Sequence, residues 1–184
     1  MSRPESSREP AAVALVIGPG AFRDEEYTIP RSRLLASGFR VVTAGRLLGP
    51  TRGELGAEAT CERLVSDLDP RALAAVVFAG GEGSRVYWDD PRAHRLAAGT
   101  LDAGGVAAGI CLGVGALAGA GLLRGRRATA HASARGFLAA AGAYLTSEPV
   151  EIDGRVVTGR DPLAAPEFAE TLVRVLSLSG VRSG

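Results

Sequence analysis

The sequence predicts an α/β fold with a mostly parallel central sheet, and two observations carry that prediction. Short apolar runs recur along the chain, each continuous rather than alternating, as strands buried on both faces require. Longer segments with helical start and stop signals stand between them. Strands and helices that alternate in this way close into a parallel sheet covered on both sides.

The first run, Ala11 to Gly18, is rich in Ala and Val and ends in the turn signal Gly18-Pro19-Gly20. Asp24, Glu25 and Glu26 open a helix that reaches Ser37, with Gly38 as its stop. Phe39 to Ala44 reads as a second strand, and the Gly- and Pro-punctuated stretch from Gly45 to Cys61 as a hairpin. Asp67 to Pro70 makes a turn, and Ala74 to Ala79 is a third buried strand ending at Gly80-Gly81. Asp89 to Ala103 is helical; Gly105 to Ile110 is a strand of weak propensity. A small-residue helix follows from Ala116 to Leu123 and closes at Arg124-Gly125. Val150 to Thr158 reads as a hairpin turning at Asp153-Gly154, and Pro166 to Leu178 as a final helix that starts on its proline. Ligands of such sheets bind beyond the carboxyl ends of the strands. The loops after Gly18, Ala79 and Ile110 are therefore the ones to inspect.

The 184 residues fit one domain, expected over 11–184 behind a flexible leader at residues 1–10. With 46% hydrophobic and 22% charged residues the composition is that of a soluble globular protein. The net charge of +1 comes with no basic stripe, so nucleic acid is not an expected partner. No apolar run is long and unbroken enough to cross a membrane, and the polar start MSRPESSREP does not read as a secretion signal. A cytoplasmic protein with reduced thiols is expected, since its two cysteines, Cys61 and Cys111, are too few for a disulfide scaffold. All 21 basic side chains are Arg, which removes lysine Schiff-base chemistry. No ligand spacing suggests a metal site. Gly80-Gly81-Glu82-Gly83 is no phosphate loop, because its acidic side chain would repel phosphate.

Gly109-Ile110-Cys111-Leu112-Gly113 has the spacing of a nucleophile elbow with Cys in place of Ser. A nucleophile on a sharp strand-to-helix turn needs small neighbours, and the helix aims free N–H groups and its positive end at the sulfur. Such placement lowers a cysteine from about 8.5 to roughly 3.5–7.5, favouring thiolate. The pentapeptide alone is equally met by a buried structural cysteine.

The segment AAGICLGVGALAGAGLLRGRRATAH resembles the centre of the ThiJ/PfpI superfamily, relatives of the class I glutamine amidotransferases. The resemblance covers almost the whole chain. FRDEEYTIP resembles the family's acidic loop leading into a helix, and VVFAGG its strand and double-glycine loop. VEIDGRVVTGRDPLAAPEFA is similar to the late hairpin and final-helix start of the branch that contains the parkinsonism-associated protein. This implies a flavodoxin-like three-layer sandwich, a homodimer built near the early helix and the Gly45–Cys61 region, and no cofactor. It also implies a triad of Cys111, Glu26 and His131, with the N–H groups of Gly81 and Leu112 as an oxyanion hole. Arg160 matches an arginine near the pocket, and Tyr87 and Trp88, following the double glycine, are candidate pocket walls. Many members carry His directly after the cysteine; Leu112 stands there, so a protease-like Cys-His dyad is absent.

Each assignment has a plainer counterpart. Glu26 also suits a helix start for dipole reasons, His131 a surface or interface position, and Arg160 a surface ion pair. Tyr87 and Trp88 suit packing, His94 a solvated helix face, and Cys61 a core or interface position. Two function classes result. The first is a cofactor-independent thiol enzyme, a hydratase, lyase or hydrolase acting on a small electrophile, of the glyoxalase or deglycase kind. The second is a redox sensor or chaperone-like stress protein with an oxidisable Cys111.

Overall fold

A computed structural model describes residues 12–179 of the chain; the leader expected at residues 1–10 lies outside them. The amino-terminal half comprises β1 (Ala12–Val16), α1 (Asp24–Ala36), β2 (Val41–Gly45), β3 (Gly49–Arg52), β4 (Glu58–Cys61), β5 (Arg63–Leu64) and β6 (Leu73–Phe78). Then follow α2 (Pro91–Asp102), β7 (Val106–Ile110), α3 (Val114–Gly119), β8 (Arg127–Ala128) and α4 (Arg135–Ala140). The chain closes with β9 (Tyr144–Leu145), β10 (Val150–Asp153), β11 (Val156–Gly159) and α5 (Ala165–Leu178).

Seven strands form one sheet in the order β10-β11-β7-β6-β1-β2-β5. All its pairings are parallel except β10 with β11, a hairpin whose register closes at Asp153 opposite Val156. Every residue of β1, β6 and β7 is buried, which is why their sequences read as unbroken apolar runs. Helices α1 and α5 pack together on one face, and α2 and α3 together on the other. This is the predicted α/β architecture. Among the described residues no helix is long and apolar enough to cross a membrane.

Local chemistry sets the element ends. Asp90 caps α2 by accepting from the Arg92 N–H at 3.0 Å, so the helix starts at Pro91 rather than at the expected Asp89. The helix after Cys111 runs from Val114 to Gly119, not from Ala116 to Leu123, because a 3-10 turn at Cys111–Gly113 leads straight into it. The Gly45–Cys61 hairpin is β3–β4, and it stands apart from the main sheet as a two-stranded unit. Its tip is tied to α1 by Asp24, whose carboxylate accepts from the N–H groups of Leu55 (3.1 Å) and Ala57 (2.6 Å).

The register decides where the site lies. Phe78 of β6 pairs with Val16 of β1 and with Gly109 of β7, so the loops at Gly80 and Cys111 leave the same edge side by side. The turn out of β7 then presses on β6: a Cβ on Gly113 would overlap the Phe78 carbonyl oxygen. Backbone cannot swing aside as a side-chain tip can, so Gly113→Ala overpacks the turn. A stability loss of about 1–3 kcal/mol is expected in denaturant unfolding, and an unchanged midpoint would contradict this packing.

Candidate active site

The chain leaves β7 at Ile110 in extended conformation and turns at Cys111, which has φ of 58°. Cys111 is the one non-glycine described residue in the left-handed region. That conformation costs on the order of 1–3 kcal/mol and persists only where its surroundings impose it. Those surroundings are the paired strand before it, the helical turn after it, and Trp88. The Trp88 indole N–H donates to the Leu112 carbonyl at 2.8 Å. Its ring stacks on Phe137 at 4.8 Å, with the Arg85 guanidinium 4.6 Å above it. The His94 Nε2 atom lies 2.9 Å from the Trp88 carbonyl, so it must be the protonated nitrogen there. Trp88 and His94 thus form a bracket behind the elbow. Neither the pocket role considered for Trp88 nor the solvated position expected for His94 is where the structure places them. Tyr87 is corrected more sharply. It is a core residue, 1% exposed, its hydroxyl donating to the Ile17 carbonyl at 2.8 Å.

Glu26 sits in the first turn of α1 and is fully buried. Its Oε2 accepts from the Gly80 N–H at 2.8 Å, while the Gly80 carbonyl accepts from the Arg23 N–H at 3.1 Å. The double-glycine loop is therefore clamped to the start of α1. Gly80 packs against both Glu26 and Cys111: a Cβ there would overlap Oε2 and come 2.8 Å from the Cys111 Cβ. The absence of that Cβ lets the carboxyl and thiol interact directly. The second carboxyl oxygen, Oε1, has no hydrogen-bond partner among the described residues. A buried, unpartnered carboxylate oxygen is costly, and a proton on the carboxyl removes that cost. Burial accordingly pushes Glu26 up to about 8, against the lowering effects of Cys111 and of the Gly80 N–H.

The thiol does not follow the expectation set by its helix position. Cys111 is only 6% exposed. Burial first, and the Glu26 charge second, push its pKa well above the ordinary cysteine range; only the Leu112 N–H opposes them. An α-helix start is a weak counterweight here, since the local turn is 3-10 and α3 is six residues long. The acidity of the pair must be read jointly. With Glu26 protonated its charge no longer opposes the thiolate, and its free oxygen can donate to sulfur. The first proton the pair loses therefore leaves one anion beside one donor.

Cys111 and Leu112 open on a small pocket of about 230 Å³ whose walls include Arg23, Glu54, Gly81, Glu82, His131 and Pro162. Gly81, at φ 91°, adopts a conformation that favours glycine. Among the described residues no acceptor takes its N–H. His131 reaches the pocket wall but is exposed, and its Nδ1 accepts from the Ser133 backbone N–H at 3.3 Å and lies 2.9 Å from the Ser133 hydroxyl. That bonding puts the proton of the neutral ring on Nε2, making His131 a donor toward the pocket rather than a base. Upstream of it the Arg127 guanidinium holds Glu151 (2.9 Å), pulling that carboxyl below its usual range and tying β8 to β10. Arg160 belongs to an adjoining, larger cavity, where Asp161 and the Ser147 carbonyl hold it, both at 2.8 Å. Cys61 is buried, and burial raises its pKa. Among the described residues no cluster of His, Cys, Asp and Glu could hold a metal ion.

Sequence reasoning missed Arg23 and Glu54. Glu54 accepts from the Glu82 N–H at 3.1 Å and faces the Arg23 guanidinium at 3.6 Å. Its presence depends on Asp24 docking the β3–β4 tip, a contact between residues some thirty positions apart that no local pattern encodes.

Comparison with known proteins places the chain among relatives of similar length and fold. A protein of Methanocaldococcus jannaschii is 32% identical over 169 residues, covering 90% of this chain and 82% of its own length. The protein/nucleic acid deglycase 2 of Escherichia coli is 28% identical over 158 residues, covering 84% of this chain and 92% of its own. The glutathione-independent glyoxalase DJR-1.2 of Caenorhabditis elegans is 26% identical over 164 residues, covering 89% and 88%. Among solved structures, a ThiJ/PfpI domain protein from Brachyspira murdochii superposes with a TM-score of 0.89 at 30% identity, over 92% of this chain and 98% of its own. The sequence pattern of the DJ-1/PfpI family matches residues 11–175. With that match spanning nearly the whole described fold, the chain belongs to the DJ-1/PfpI family.

Proposed function

We propose that the chain is a cofactor-independent enzyme in which Cys111 attacks a small electrophilic carbonyl compound. Relatives named deglycase and glyoxalase support an enzyme of the DJ-1/PfpI type. The observation that carries the finer reading is the Glu26 carboxyl, buried beside the Cys111 sulfur with one oxygen left unbonded. The reaction to test first is the conversion of a 2-oxoaldehyde and water to a 2-hydroxy acid.

The steps balance with this chain's residues alone. In the form of the pair holding one proton, the Cys111 sulfur adds to the aldehyde carbon and the carbonyl oxygen takes the proton from Glu26. The Glu26 carboxylate then removes the hydrogen from that carbon and returns it to the neighbouring carbon, giving a 2-hydroxy thioester. Water hydrolyses the thioester, releasing the acid and restoring the thiol. The Gly81 and Leu112 N–H groups face the developing oxyanion, contacts of a kind worth about 2.7–4 kcal/mol. His131 supplies an Nε2–H to a substrate oxygen. The sensor alternative draws on the same thiol, and the relatives named deglycase and glyoxalase favour the enzyme instead. The homodimer is part of the same reading, with Leu47, Leu48 and Leu55 exposed in the Gly45–Cys61 region.

With methylglyoxal, lactate formation is expected in the wild type and none above background in Cys111→Ser. Glu26→Gln, which keeps the acceptor for Gly80, is expected to lower kcat/KM by roughly 10²-fold or more. Because the reactive pair must first lose one proton, kcat/KM should rise about tenfold per pH unit and level near pH 8, the value to which burial lifts Glu26. A flat profile, or turnover surviving in Cys111→Ser, would contradict the assignment. Light scattering should give twice the 18.8 kDa chain mass; a monomer at assay concentration rejects the dimer.

A further inference from the structure

We propose that the larger cavity beside the cysteine pocket is a carboxylate subsite. The inference rests on the enzymatic reading above and specifies the substrate: an electrophile bearing an anionic group several bonds from the carbon that Cys111 attacks. The outer cavity measures about 730 Å³, against about 230 Å³ for the pocket at Cys111, and the two share Arg23, His131 and Pro162 in their walls. A three-carbon carbonyl compound needs only the inner space. The outer one falls in the range, roughly 300–1,000 Å³, that takes larger ligands.

The charges of the two compartments differ. Three arginines, Arg23, Arg135 and Arg160, line the outer cavity, against the two carboxylates of Glu25 and Asp161. Arg23 is bound to Glu25 through Nε (2.9 Å) and Nη2 (3.2 Å), and Arg160 to Asp161 through Nε. Arg135 has no carboxylate partner among the described residues; its Nη1 donates to the Thr146 carbonyl at 2.7 Å. The next carbonyl, Ser147, takes Nη1 of Arg160 at 2.8 Å. One short segment therefore fixes both guanidinium groups at the same wall. Each keeps Nη2 without an acceptor among the described residues, and Arg135 keeps Nε as well. Guanidinium groups restrained in this way lose little further freedom on binding a carboxylate. The inner pocket instead sets Glu54 and Glu82 around Arg23, with Arg23 facing Glu54 at 3.6 Å and Arg85 holding Glu82 at 2.7 Å, so it offers an anion no unpaired guanidinium. A substrate with a carbonyl at one end and a carboxylate at the other is thereby oriented carbonyl-first toward Cys111.

The test compares methylglyoxal with 4,5-dioxopentanoate, the same 2-oxoaldehyde group extended by a carboxylate. The wild type should favour the carboxylated compound at least tenfold in kcat/KM, through KM, with the preference weakening as salt is raised. Arg135→Gln should collapse that ratio and Arg135→Lys restore part of it. Calorimetry of Cys111→Ser with the unreactive keto acid 4-oxopentanoate reads the subsite without turnover; binding that Arg135→Gln abolishes supports it. Equal kcat/KM for the two aldehydes, or no 4-oxopentanoate binding, overturns the subsite. If neither aldehyde is converted while 4-oxopentanoate binds through Arg135, the subsite stands and the glyoxalase-type chemistry falls.

Discussion

The packing of the Glu26 carboxyl against Cys111, in space that only a glycine at position 80 leaves open, is the constraint on which the site depends. It costs the fold stability. The folded protein keeps a proton on Glu26 up to about pH 8, whereas an unfolded chain releases it near its ordinary 4.5. Between those values the folded state binds more protons than the unfolded state, so this group's contribution to stability falls as pH rises. Strain at Cys111 adds to the cost. The central strands and their two helical layers supply the excess that tolerates both.

Each part of the scaffold brings one element of chemistry to the edge of the sheet. Parallel register sets the ends of β1, β6 and β7 level, so that three loops converge. The start of α1 contributes Glu26, clamps the Gly80 peptide from both sides, and through Asp24 draws Glu54 in from a separate hairpin. The Trp88 bracket secures the Leu112 carbonyl behind the elbow. The Arg127–Glu151 pair ties β10 to β8, the strand that precedes His131. Apart from Glu26 and His131, these side chains have no part in the proposed reaction, yet together they determine where Cys111 and Glu26 stand.

Much of this was legible in the sequence where the signal was local. Continuous apolar runs marked β1, β6 and β7, because strands buried on both faces leave no alternation to disguise them. The glycines beside Cys111 marked a tight turn, and Gly113 does lie against β6. What was not legible depended on burial and distant partners. The thiol's acidity was expected to follow its helix position, but it is governed by exclusion of water and by the Glu26 charge. Tyr87 and Trp88 are neighbours in sequence, yet one enters the core and the other braces the elbow. The two-residue strands β5, β8 and β9 are too short to show any period.

In the proposed mechanism, a buried acid that holds its proton at neutral pH keeps the pair uncharged until it loses the one proton that makes it reactive. Below that ionisation neither group is charged, and no unpartnered anion is stranded in the pocket. The most direct measurement is a carbon-13 NMR titration of the Glu26 side-chain carboxyl, assigned by difference with Glu26→Gln. The account predicts a midpoint near 8. A midpoint in the ordinary glutamate range, about 4.3, would contradict it.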